Sequence, residues 1–198
     1  MLKIVQAPNP ILSQSAKKIS KVDSYILKLI QEMKKTLLSA KDPIGVGLAA
    51  PQTGKALQIF ITKPTPKSSI EVFINPKIDT KITISHLTTA SGRIKQLNDN
   101  PTKEAKQTKL EGCLSLQNIW GEVKREPKIK LQYQLITNNH TLITKTSTFS
   151  GFIAIIIQHE IDHLNGILFP KRVLEQKGIL YKSRKDEKGE DVFEEIEI

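Results

Sequence analysis

Residues 151–165, GFIAIIIQHEIDHLN, constrain the fold more than any other stretch of this chain. Phe152, Ile153, Ile155, Ile156, Ile157, Ile161 and Leu164 would put apolar side chains on nearly every side of a helix here. A helix that is apolar all round has to be covered by other elements, so it belongs in the middle of a domain. Ser150 stands where it can cap the helix start, and Gly166 suits the left-handed residue that ends it. Inside this helix is the run His159-Glu160-Ile161-Asp162-His163. Residues four apart share a helix face, so both imidazoles reach one metal ion. Glu160 projects beside them, outside the ligand set, where it can act as a base on a water that the metal polarises. The plainer reading is two idle histidines, and a core position argues against it.

The rest of the chain predicts an α+β fold. Mixed or antiparallel sheets pack around the central helix, with an N-terminal helix on one side and a β-type C-terminal tail. Ser20 to Asp23 offer caps for a helix over 24–40, with Ile26, Leu29, Ile30, Met33, Leu37 and Leu38 as its apolar stripe. Asp42-Pro43 ends it, and 45–52 reads as an irregular loop. Strands are expected over 57–62 and 70–74, stopped by Asn75-Pro76. A hairpin is expected over 128–136 and 141–149 around Asn138-Asn139, and a terminal one over 178–198 around Lys188-Gly189. Residues 88–109, rich in Ser, Thr, Asn, Gln and Lys, read as a mobile insertion. With 198 residues and no internal repeat, one domain over 1–198 is expected.

A catalytic metal site of this kind needs a third protein ligand. Two candidates stand out. Glu175 follows soon after Pro170, leaving little room for a second helix to return it to the site. Cys113, the lone cysteine, lies in the compact segment Glu111-Gly112-Cys113-Leu114-Ser115. A metal would stabilise its thiolate, whereas alone it would read as a small buried hydrophobe. Asp162 could orient a ligand histidine, pair with Arg125, or form a plain surface ion pair.

Three segments, in order, carry a resemblance: Gly45-Val46-Gly47-Leu48-Ala49-Ala50-Pro51-Gln52, then Glu111-Gly112-Cys113-Leu114-Ser115, then Gln158-His159-Glu160-Ile161-Asp162-His163. Together they resemble the signature segments of peptide deformylases, over roughly residues 4–170. The first also fits a dinucleotide fingerprint, but that should follow a strand and open a helix, whereas here a helix precedes it. The resemblance implies removal of the formyl group from N-formylmethionine at the start of nascent chains, with any ribosome contact transient. It implies that Cys113, His159 and His163 bind one divalent metal, in the family typically ferrous iron, with zinc, nickel or cobalt able to replace it. Glu160 would move the proton, while the Gln52 amide and the Leu114 backbone N–H would hold the oxyanion. Gly47 would let the substrate backbone pass close to the metal. Val46, Ile155, Ile156 and His159 would wall the methionine pocket. This chain departs from the family pattern in having Leu116-Gln117 where a proline is common and Trp120 where a basic residue is frequent. Its strand-like tail stands where many bacterial relatives end in a helix.

Composition narrows the alternatives. The formal net charge is +10, but residues 178–198 carry four Lys/Arg and seven Asp/Glu, so the excess is scattered over 1–177. Aromatics are 5% and no basic–aromatic pattern occurs, which argues against a DNA reader. No stretch reaches the ~20 apolar residues of a membrane span, and no signal-peptide core is present, so a cytoplasmic location is expected. Two other functions remain to be weighed: a His-Glu-x-x-His peptidase with a carboxylate third ligand, and a catalytically silent, ribosome- or RNA-associated module.

Overall fold

Helix α1, Ser24–Ser39, forms where its stripe predicts, with Ile26, Leu29, Ile30, Met33 and Leu37 buried and the Asp23 side chain accepting from the Ile26 N–H. The structure is a computed structural model that describes residues 1–41, 43–79 and 109–197. The insertion expected over 88–109 lies outside the described residues apart from Lys109, the first residue of a strand.

Five strands make one antiparallel sheet: β1 (Gly47–Ala49), β2 (Ile59–Thr62), β3 (Glu71–Ile78), β6 (Lys128–Ile136) and β7 (Leu142–Ser150), in the order β1-β2-β3-β6-β7. Side chains alternate between the two faces of a strand. On β2, Ile59 and Ile61 pack with the α1 side chains, while Phe60 packs with Phe73, Leu131 and the helix α2, Phe152–Leu164. This sheet is therefore covered on both faces, which is why all four β2 residues are buried. Phe60 stacks on Phe73 at 4.6 Å, and Phe73 meets Tyr133 at 4.8 Å. The second sheet has the order β4-β5-β8-β9, from β4 (Lys109–Cys113), β5 (Leu116–Val123), β8 (Leu180–Lys185) and β9 (Asp191–Glu195). A short helix, α3 (Phe169–Glu175), buries Phe169 and Val173 against Cys113, Val123 and Leu180.

The α+β class and the antiparallel sheets agree with the sequence reading, as do α1, the 128–150 hairpin and the β8–β9 tail. Three expectations need correction. Ser150 does not cap α2: it ends β7 as the partner of Lys128, and Gly151 takes the cap position with φ 69° and no side-chain bond. The loop over 45–52 contains a strand, because Gly47, Leu48 and Ala49 pair with Thr62, Ile61 and Phe60. Asn75-Pro76 does not stop β3. Asn75 adopts φ 49°, its side chain bonds both backbone groups of Ile19, and the strand resumes with shifted register at Lys77. The compact segment around Cys113 is the turn of a hairpin, since Lys109–Gly112 pair with Val123–Trp120. Pro170 occupies a first-turn position of α3, where its missing N–H costs nothing, and this short helix does not return Glu175 to the three donors Cys113, His159 and His163.

Candidate active site

Two elements build the site. The β4–β5 hairpin delivers Cys113 at its tip, and α2 delivers His159 and His163 from one face. One donor atom from each of the three residues lies within 4.8 Å of the other two. The Cys113 Sγ and His163 Nε2 are 3.2 Å apart. Donor atoms sharing one ion at ~2.0–2.3 Å stand roughly 3.3–3.8 Å apart, so this set closes on a metal with little movement. One soft sulfur and two imidazole nitrogens suit a divalent transition ion. Glu175 is not part of the set: its carboxylate meets Arg172 at 3.0 Å on the exposed side of α3.

His159 is oriented from behind, whereas His163 Nδ1 is buried without a hydrogen-bond partner among the described residues. The Glu111 carboxylate is 3.0 Å from His159 Nδ1. An ionised carboxylate only accepts, so Nδ1–H donates to it and Nε2 is left to face the other donors. Glu111 in turn accepts two bonds from the Arg125 guanidinium, at 2.8 and 2.9 Å. The same guanidinium donates to Asp162 at 2.6 Å, and Asp162 also accepts from Arg172 at 2.7 Å. Burial alone would raise the Glu111 carboxyl, but its bonds from Arg125 and His159 outweigh that and hold it down at about 2. Burial keeps His163 well below the usual histidine range, hence neutral and able to ligate. The Asp162–Arg125 pair among the sequence alternatives is present and buried, while the carboxylate that orients a histidine is Glu111.

Gln52 is buried and held at one end. The Ala49 N–H donates to its Oε1 at 2.8 Å, which turns the Nε2 group toward Cys113 Sγ, 3.5 Å away. Leu114 follows Cys113 at the hairpin turn, and its carbonyl accepts from the Gln6 side chain at 3.0 Å. Glu160 is buried, with Oε2 lacking a hydrogen-bond partner. Burial, together with the nearby Glu111 charge, pushes its carboxyl up to about 7. A carboxyl poised near neutrality, with an oxygen awaiting a partner, is suited to taking up and returning a proton.

A cavity of about 240 Å³ opens onto these groups. Val46, Gly47, Gln52, Cys113, Leu114, Ile155, Ile156, His159 and Glu160 all line it, so the sequence-predicted residues other than His163 share one wall. His163 reaches the site from below through Cys113. Sequence reasoning missed Ile44, Leu110 and Phe152 on this lining, and the orienting role of Glu111. Ile44, Leu110 and Phe152 are exposed apolar side chains, a signal legible only once the fold collects them at one mouth. A larger, shallower groove of about 620 Å³ runs between residues 18–22 and the β6–β7 hairpin, away from the three donors.

A Cys-His-His donor set, a buried carboxyl beside it and an apolar cleft in front define a metal-dependent hydrolase. Comparison with known proteins gives the particular kind. The family model for polypeptide deformylase matches residues 1–178. The peptide deformylase of Desulfotalea psychrophila is 34% identical over 188 residues, covering 93% of this chain and 94% of that one. Peptide deformylase 1 of Bacillus cereus is 33% identical over 173 residues, covering 87% and 92%. Among solved structures, the Thermotoga maritima peptide deformylase aligns with a TM-score of 0.64 at 30% identity, covering 87% of this chain and 97% of that one. The Synechococcus elongatus peptide deformylase, solved in complex with actinonin, aligns with a TM-score of 0.64 at 30% identity, covering 86% and 78%. The chain belongs to the polypeptide deformylase family.

Proposed function

We propose that this chain, folded as one domain, hydrolyses the formyl–nitrogen bond of N-formylmethionyl nascent peptides, with Cys113, His159 and His163 as ligands of one divalent metal. The observation that carries this reading is the meeting of those three donors with Glu160 and Gln52 on one cavity. A divalent ion in that set supplies a Lewis acid at the floor of the cleft. The protein's own groups do the rest. Glu160 removes a proton from the attacking water as its oxygen bonds to the formyl carbon. The Gln52 Nε2 group and the Leu114 backbone N–H donate to the formyl oxygen as negative charge builds on it. When the carbon–nitrogen bond breaks, Glu160 passes the proton to the departing amine and formate is released. Val46, Ile155 and Ile156 receive the methionine side chain, and Gly47, having no Cβ, lets the Glu160 carboxyl sit against its backbone on the same cavity. The ion is ferrous iron, as the family resemblance implies, while a thiolate with two imidazoles also suits zinc, nickel or cobalt. The reaction belongs in the cytoplasm, where formylated chains leave the ribosome and contact with it is transient. Among the described residues, no helix is long and apolar enough to cross a membrane.

The test is formate release from formyl-Met-Ala-Ser by iron-loaded protein prepared without oxygen. Wild type should release formate and Glu160→Ala should not, while a matched unformylated peptide stays intact. Cleavage of the unformylated peptide, or equal formate release by both proteins, would overturn the reading.

A further inference from the structure

Strand β7 ends the five-stranded sheet with an edge that lacks the usual protection. Edge strands are kept from pairing with other chains by shortness, proline, bulges or charge. The opposite edge, β1, is only three residues long, and β9, an edge of the second sheet, has three acids among its five residues. β7 runs for nine residues, which at about 3.4 Å each makes an edge of roughly 30 Å. It pairs with β6 at nine consecutive positions with no register shift, contains no proline, and has Lys145 as its one charge. Among the described residues, no strand lies beyond it.

The ladder fixes which backbone groups face the open edge. Hydrogen-bonded and non-bonded residue pairs alternate along an antiparallel hairpin. At one end of this one, the Thr137 N–H donates to the Thr141 carbonyl at 2.9 Å, and at the other the Gly151 N–H donates to the Pro127 carbonyl at 2.9 Å. The odd-numbered residues of β7 therefore bond to β6. Leu142, Thr144, Thr146, Thr148 and Ser150 turn their N–H and C=O groups outward. Side chains also alternate between the faces. Phe149 packs with Phe73 and Tyr133 on the α2 side, so Ile143, Lys145 and Ser147 share that side, while Leu142 packs on the α1 side.

A second copy of β7 fits this edge in one register. Only outward-facing residues can exchange bonds, so even-numbered residues must oppose even-numbered ones. With Thr146 on a twofold axis, opposite itself, all nine residues overlap. Thr144 then faces Thr148 of the partner subunit, and Lys145 faces Ser147 of the partner subunit. Ile143, 50% exposed in one copy, faces Phe149 of the partner subunit. Such Thr–Thr and aromatic–β-branched pairs stabilise antiparallel strands, whereas like charges opposite each other do the reverse. Moving the axis to Lys145 would oppose two ammonium groups, and moving it to Ser147 would set Ile143 against a glycine.

We propose that β7 pairs with β7 of a second copy about Thr146, joining two five-stranded sheets into one of ten strands. A twofold, self-complementary contact of this kind closes on itself and leaves only the short β1 strands as edges. It goes beyond the deformylase reading and stands whatever reaction the cleft performs.

Sedimentation velocity of the full, metal-loaded chain, from micromolar to near-millimolar concentration, is the test. Wild type should pass from monomer to dimer over that range. Thr146→Pro removes the two N–H donors at the axis but no bond to β6, and proline is tolerated where a strand N–H faces out. It should weaken the dimer roughly fivefold to a hundredfold, with the melting temperature of dilute protein near that of wild type. Thr144→Lys combined with Thr148→Glu sets two opposite-charge pairs across the axis and should tighten the dimer roughly twofold to thirtyfold. Thr144→Lys combined with Thr148→Lys should loosen it. These charge variants leave the backbone intact, so they decide the register even where the proline disturbs β7. Wild type that stays monomeric, a folded proline variant that dimerises as wild type does, or two charge variants of equal affinity would each overturn the proposal.

Discussion

The Gly47 backbone lies directly against the Glu160 carboxyl, so a Cβ at position 47 would overlap Oε1 and stand 2.8 Å from Cδ. It would also press on Ile156 at 3.0 Å. Because Gly47 is pinned in β1 opposite Thr62, the glutamate is the part that must move. Gly47→Ala is therefore expected to lower kcat on formyl-Met-Ala-Ser by at least tenfold while metal content stays stoichiometric. Wild-type kcat in this variant would show that Glu160 tolerates displacement.

Glu160→Gln keeps the shape of the side chain and removes its ability to carry a proton. General acid–base groups contribute about 10²–10⁴-fold in rate. A loss of that size in kcat is expected, with KM little changed and metal retained. A drop in bound metal would instead place Glu160 among the ligands.

Cys113→Ala removes the one soft donor and leaves two imidazoles. Metal analysis after gel filtration is expected to find much less than one ion per chain, together with loss of formate release. Full metal and activity would point to a carboxylate third ligand, and so to an internal-bond peptidase.

Glu111→Gln tests how His159 is oriented. Partners behind ligand histidines are typically worth 10–100-fold in metal affinity, so a weakening of that order is expected by competition with a chelator. Acid sensitivity should change as well. The Glu111 carboxyl sits at about 2 in the folded protein, against an ordinary 4.5. A depressed folded value stabilises the native state fully above pH 4.5 and progressively less as pH falls toward 2. The melting temperature of metal-free wild type should therefore drop through that window more steeply than that of Glu111→Gln. Parallel curves would contradict the assignment.

Purification in air is expected to lower the activity of iron-loaded protein through oxidation of metal and thiolate, and nickel or cobalt should restore it. Equal activity of zinc- and iron-loaded protein would remove the case for ferrous iron.

Much of the fold was legible because its signals are local. The apolar stripe of α1, the alternation along β6 and the turn at Lys188-Gly189 depend on neighbours in sequence. The site was legible because two ligands share one helix turn and the third lies in a motif. What escaped depends on partners far apart in the chain. The Glu111–His159 bond spans 48 positions and the Trp120–Ser183 bond 63, and neither leaves a periodic trace. The α2 cap was misjudged for the opposite reason. Ser150 has the right chemistry, but its backbone is committed to β7, so tertiary pairing overrode a local preference.

Helix α2 is the shared support of the five-stranded sheet and the metal ligands, yet it spans only residues 152–164 of 198. During synthesis, Phe60 and Phe73 emerge long before Ala154 and Ile157, the side chains that cover them. The growing chain must therefore leave Phe60 and Phe73 uncovered until Ile157 emerges, and the donor set is incomplete until His163 has left the ribosome. Covering of that face and completion of the donor set thus wait on the same thirteen-residue helix.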